Sequence, residues 1–190
     1  MREIPMHRFG HPVIGLGARL TMLALVFAAP AEPALAGDPQ NRLAVFDFEL
    51  LDTSLDGEFR GSNPAELARL DLISSQLRQW LAVNGGRELA DMSPVAAEAK
   101  AANLRSCGCM EKLADRVGAD LAVTGLVHKV SNLILNMTIY LHDVKTAKIL
   151  ALMTVDIRSN TDQSWTRGLN WLTKNRLTGT LAAVPAPSQP

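Results

Sequence analysis

From Asn132 onward the chain alternates. Leu133, Leu135, Met137, Ile139 and Leu141 fall on one side of an extended backbone, and Ile134, Asn136, Thr138, Tyr140 and His142 on the other. A tight connection at Lys145-Thr146-Ala147 follows, and Ile149, Ala151, Met153, Val155 and Ile157 then repeat the same period. Two period-two segments joined by so short a turn form an antiparallel hairpin with one buried face. Asp120 to His128 (DLAVTGLVH) reads as a strand ahead of it, which makes a three-strand antiparallel meander in the C-terminal half. A chain that contains this meander must build a sheet and must cover its apolar face with something.

The cover comes from helices. Asn63 can cap a helix that starts at Pro64, with Glu66 three residues after the cap. Leu67, Leu70, Ile73, Leu77, Trp80 and Leu81 then make a one-sided apolar stripe, ended by Asn84-Gly85-Gly86. Before it, Leu43 to Phe48 (LAVFDF) reads as a strand buried on both sides, with Ala44, Phe46 and Phe48 sharing one face, and residues 49–63 read as a long acidic loop. After it come a short strand at Arg87 to Asp91, a helix from Ser93-Pro94 to about Leu104, and a third short helix that runs to about Val117. A last helix carries Trp165, Leu169 and Leu172 on its apolar side. The expected fold is α/β (α+β), a mixed β-sheet of about five strands with helices packed on it.

The first 36 residues read as an address. Arg2 and Arg8 supply a basic start, Leu20 to Ala29 an apolar run too short to span a bilayer, and Ala34-Leu35-Ala36 the small residues a signal peptidase needs. Cleavage after Ala36 is expected, leaving residues 37–177 as one domain and 178–190 as a disordered tail in the periplasm. No Cys stands at the new N-terminus, so lipid attachment is not expected, nor is a stable membrane span after cleavage. The remaining chain carries 16 basic and 17 acidic side chains, which gives no electrostatic footprint for nucleic acid.

Few residues suggest chemistry, and no cofactor is expected. Cys107-Gly108-Cys109 is the most unusual local feature. It fits a structural disulfide or free pair pinning two helices, a redox pair favoured by Arg105 and Lys112, or half of a soft-metal site. Asp47, Glu49, Asp52, Asp56 and Glu58 form an acidic run that is read as a solvated loop, since its spacing fits no EF-hand. A turn at 129–131 would leave His128 and His142 ten residues, about 30 Å, apart along the sheet, too far for His128, His142 and Asp143 to share a metal. Trp165 belongs to the core stripe. Trp171 lies about 120° round the helix from Trp165 and is a candidate partner contact.

LAVFDFEL, NLRSCGCMEKLADRVGADLAVTGLVHKVSNLILN and DVKTAKIL together resemble a family of small exported bacterial proteins described as a domain of unknown function. The pattern is also similar to the N-terminal domain of TolB and to CsgG-type curli-assembly proteins. The resemblance covers about residues 42–177 and implies an α/β envelope module that contacts other proteins and carries out no chemistry. The expected function is therefore that of a non-catalytic periplasmic accessory or assembly module. Its partner would be another periplasmic or outer-membrane protein, or further copies of itself. The alternative is a small redox or metal-binding protein using Cys107 and Cys109.

Overall fold

The structure, a computed structural model, describes residues 41–184. The expected leader lies outside them. The elements follow in the order β1 (Arg42–Asp52), α1 (Leu55–Arg60), α2 (Pro64–Asn84), β2 (Glu88–Leu89), α3 (Ala96–Ala101), α4 (Leu104–Cys107), α5 (Met110–Arg116), β3 (Leu121–Lys129), β4 (Leu135–Asp143), β5 (Lys148–Ile157), α6 (Asp162–Leu172), a π-helical turn (Thr173–Leu177) and α7 (Thr178–Ala183). The five strands form one mixed sheet in the order β2-β1-β3-β4-β5. β1 runs parallel to β2 and β3, while β3, β4 and β5 make the antiparallel meander.

α2 forms where its caps place it. The Asn63 side chain accepts from Ala65 N, Pro64 needs no partner for an N–H, and Gly86 turns the chain away at φ 64°. α2 and α6 then lie on the first face of the sheet. Leu70, Ile73, Leu77 and Leu81 of α2, with Trp165, Leu169 and Leu172 of α6, bury themselves against Val123, Val127, Met137, Ile139 and Leu141. The second face is covered only at one end. There Met110, Leu113 and Ala114 of α5, with Val95 ahead of α3, pack on Ala44, Phe46 and Ala122.

Two β-bulges break the sequence period. β1 pairs Val45 with Val123 but Phe48 with Gly125, so two residues oppose Thr124 alone. The alternation flips there: Ala44 and Phe46 stay on the second face, while Phe48 joins the first. Gly125 makes room, since a Cβ at that position would overlap the Phe48 ring. In β5, Leu141 pairs with Ala151 and His142 with Ile149, which skips Leu150. Ile149 therefore leaves the buried face expected for it and stands 56% exposed. Leu133, expected on the same buried face as Leu135, precedes the strand and is exposed.

Other expectations are corrected at element ends. The predicted loop 49–63 holds the second half of β1 and then α1, whose N-cap Ser54 accepts from Gly57 N. Residues 178–183, expected in a disordered tail, are helical. Leu181 of α7 is buried, and an Arg87 guanidinium N–H donates to the Val184 carbonyl. Leu67, read as part of the α2 stripe, is exposed.

Polar groups lock the helix layer to the sheet. Lys129, at the end of β3, is 1% exposed, and Glu66 of α2 is fully buried. Lys129 Nζ lies 2.8 Å from Glu66 Oε1, 3.0 Å from Asp52 Oδ2 and 3.8 Å from Asp56 Oδ2. Asn160 extends the cluster to α6. It donates to Glu66 and accepts from Trp165 Nε1 and from Arg69, which also pairs with Asp162. Burial opposes the Lys129 cation, but hydrogen bonds and attraction from Glu66 and Asp52 outweigh it and raise its pKa above the usual 10.5. Burial likewise opposes the Asp52 carboxylate, and hydrogen bonds from Ser54 and Lys129 outweigh it and hold its pKa below the usual 3.8.

Lys129→Met is expected to lower unfolding free energy by about 3–5 kcal/mol, because it strands Glu66 as a buried charge. Adding Glu66→Leu should recover most of that loss in urea titrations. The Asp52 contribution is fully present above its unfolded pKa and should vanish as pH falls through its lower folded value. The Lys129 contribution is fully present below its unfolded pKa and should vanish as pH rises through its higher folded value. Urea midpoints in wild type should therefore fall at both extremes, and in Lys129→Met the alkaline fall should shrink. Gly125→Ala should cost about 1–3 kcal/mol, and less when Phe48→Ala is already present.

Candidate functional site

The second face of the sheet is open beyond α5. Its middle is built from β3, β4 and β5, where Leu126 pairs with Thr138, Thr124 with Tyr140, Tyr140 with Leu152 and His142 with Ile149. Thr138 and Thr154 share a hydrogen bond at 2.9 Å across the β4–β5 pair. Ile149, Leu150 and Leu152 expose 56%, 42% and 58% of their surfaces. These three residues place exposed apolar side chains along the border of the sheet. β5 is the edge strand, so its outer N–H and C=O groups face no neighbouring strand among the described residues. The opposite edge, β2, has two residues.

Where this face meets α4 and α5 there is a cavity of about 320 Å³. Thr124, Tyr140 and His142 line it from the sheet, and Arg105, Gly108 and Glu111 from the helices. α4 is held over the sheet by Glu49, whose carboxylate oxygens accept from Leu104 N at 2.6 Å and Arg105 N at 3.2 Å. His142 Nε2 lies 3.0 Å from Thr124 Oγ1, and its ring stacks at a tilt on Tyr140 with centroids 6.0 Å apart. Burial pushes the His142 imidazole below its ordinary 6.5, against the attraction of Glu111. Burial thus favours the neutral imidazole. A hydroxyl beside an imidazole is half of a nucleophilic set, but His142 Nδ1 has no orienting partner among the described residues. A second groove of about 590 Å³ runs beside β1 and is bridged by the Asp47–Arg78 ion pair.

The residues singled out in the sequence do not converge. Cys107 and Cys109 are joined as a disulfide at the rim of the cavity. The acidic run splits: Asp47 pairs with Arg78 and Glu49 holds the start of α4, while Asp52 and Asp56 meet at Lys129. His128 pairs with Asn136 in the register, because the β3–β4 turn spans 130–134. It therefore stands six positions from His142, about 20 Å, closer than the ten predicted. Its imidazole is hydrogen-bonded to Thr53 Oγ1. No three His, Cys, Asp or Glu side chains among the described residues stand together as metal ligands. Trp171 is 43% exposed beneath the Arg176 guanidinium, on the helix layer that covers the first face, away from the open one.

The sequence reading missed Glu66, Lys129 and Asn160. Glu66 was assigned to the helix cap, and Lys129 to a turn. The only signal that could have found them was a Lys closing an otherwise apolar strand.

Comparison with known proteins adds the family. None of the curated proteins matches the chain. The fold is similar to the LpoB C-terminal domain from Salmonella enterica, at 19% identity over 66% of this chain and 88% of that one, with a TM-score of 0.46. It is similar to lipoprotein GNA1162 from Neisseria meningitidis, at 15% identity over 75% of this chain and 99% of that one, with a TM-score of 0.44. TolB from Acinetobacter baumannii is similar at 12% identity over 76% of this chain and 29% of that one, with a TM-score of 0.40.

Proton NMR of the His142 ring should show a titration midpoint below 6.5, and Glu111→Gln should lower it further, since it removes the one opposing attraction. The Cys107–Cys109 bond, the His142 imidazole and the bare β5 edge thus sit in a chain that belongs, through residues 41–177, to the family described as protein of unknown function (DUF2380).

Proposed function

We propose that this protein is a non-catalytic module of the bacterial envelope that binds another protein through the open sheet face and the β5 edge. The observation that carries the reading is the exposure of Ile149, Leu150 and Leu152 on an unshielded edge strand. Edge strands in soluble proteins are blunted by charge, proline or brevity. β5 has ten residues, and the stretch from Ile149 to Val155 has neither charge nor proline. Such an edge invites a partner strand, with backbone hydrogen bonds giving affinity and the neighbouring cavity accepting a side chain. The leader-like first 36 residues support export, and no helix among the described residues is long and apolar enough to cross a membrane. We read that module as an accessory or assembly factor, in line with the envelope-domain motifs LAVFDFEL and DVKTAKIL.

A photo-crosslinking residue at Leu152 should capture a discrete envelope protein in living cells, whereas one at Val83, 83% exposed at the end of α2, should not. Leu152→Glu should cut recovery of that protein about tenfold or more while leaving the melting temperature unchanged. Equal capture from both positions, or recovery indifferent to Leu152→Glu, contradicts the assignment.

A further inference from the structure

The disulfide at the cavity rim does little that a structural bond would do. It closes a loop of three residues, the case in which cross-linking removes least entropy from the unfolded chain. The segment it belongs to is anchored by other means. Glu49 holds the start of α4, and Met110, Leu113 and Ala114 bury α5. Cys107 and Gly108 are exposed, and at φ 57° Gly108 leaves open space where a Cβ would sit, with nothing beyond its chain neighbours within 4 Å of that position. Cys109 is half-buried and packs against the small core under α5. Its N–H donates to Cys107 Sγ at 3.1 Å. Arg105 and Lys112 flank the pair in sequence. Gly108 and Arg105 also line the 320 Å³ cavity, so the bond borders a cleft able to hold a peptide side chain.

From these features we propose that Cys107–Cys109 is a thiol–disulfide exchange site that oxidises a dithiol segment of another exported protein. The exposed Cys107 sulfur is the one attacked. A thiolate of the dithiol forms a bond to Cys107 Sγ, the Cys107–Cys109 bond breaks, and Cys109 leaves as a thiolate. The second thiolate of the dithiol then attacks the dithiol's first sulfur, now bonded to Cys107 Sγ, and Cys107 leaves as a thiolate. The substrate loses two electrons and two protons and becomes a disulfide. Cys107 and Cys109 gain both and become thiols. The inference shares the cavity with the partner-binding reading but is tested apart from it, because thiol exchange is read without capture at Leu152.

The test uses the full-length protein, reduced glutathione, and a synthetic reduced peptide carrying two cysteines. Glutathione at millimolar concentration should reduce the Cys107–Cys109 bond within minutes, and the melting temperature should move by no more than about 3 °C. The oxidised protein should convert one equivalent of the peptide to its disulfide. Cys109→Ser should trap a mixed disulfide between Cys107 and a single-cysteine version of the peptide supplied as its thionitrobenzoate mixed disulfide, with release of thionitrobenzoate and the adduct visible by mass spectrometry, and the double variant Cys107→Ser, Cys109→Ser should neither oxidise the dithiol peptide nor form the adduct while remaining folded. A bond that stays closed in glutathione, a chain that unfolds on reduction, or a peptide left reduced by the oxidised protein would each overturn the proposal.

Discussion

Lys129 carries a full positive charge at a place where 1% of its side chain reaches solvent. An ammonium buried without partners would cost several kcal/mol, so its position dictates what surrounds it. Glu66 must come from the first turn of α2, Asp52 from the end of β1 and Asp56 from α1. Asn160 then ties Glu66 to the entry of α6 and to the Trp165 indole. Three carboxylates from residues 52–66 thus meet the ammonium of a strand that ends at 129. The apolar contacts beneath α2 and α6 supply the bulk of the burial, but they are non-directional. The charge cluster gives those helices one angle and one register on the sheet.

Because both long helices are held on the first face, the second has only α3 to α5 to cover it. These pieces are short and shield just the end near Ala44 and Ala122. The bulges complete the asymmetry. The one in β1 sends Phe48 into the main core, over Gly125, and the one in β5 turns Ile149 outward beside His142. A sheet closed on one side and half-open on the other follows from these three local facts. So does the placement of an unblunted strand at the open border.

The period-two pattern of β4 and β5 was legible because each strand has one buried face. Met137, Ile139, Leu141, Met153 and Ile157 all point where the alternation puts them. The α2 caps were legible because Asn63-Pro64 and Gly85-Gly86 act through local backbone geometry. Phe48, Ile149 and Leu133 were not, since a bulge or a strand end depends on pairing with a distant neighbour. The charge cluster was hidden for the same reason: its hydrogen-bonded partners lie up to 94 residues apart. α7 escaped because its helix is stabilised by the burial of Leu181 and not by its own sequence. Of the candidate site, the Cys pair and the exposed Trp171 were visible as residues, whereas the cavity, the His142–Thr124 pair and the open face exist only once the strands are registered.

Amide hydrogen exchange, followed strand by strand with and without solubilised envelope proteins, tests this account most directly. It predicts slow exchange throughout β3 and β4, fast exchange at the outward amides of β5 in the protein alone, and slowing confined to β5 and the cavity rim when envelope proteins are added. If β5 is as protected as β3 in the isolated chain, or if its exchange is the same in both conditions, the open face is not a binding surface.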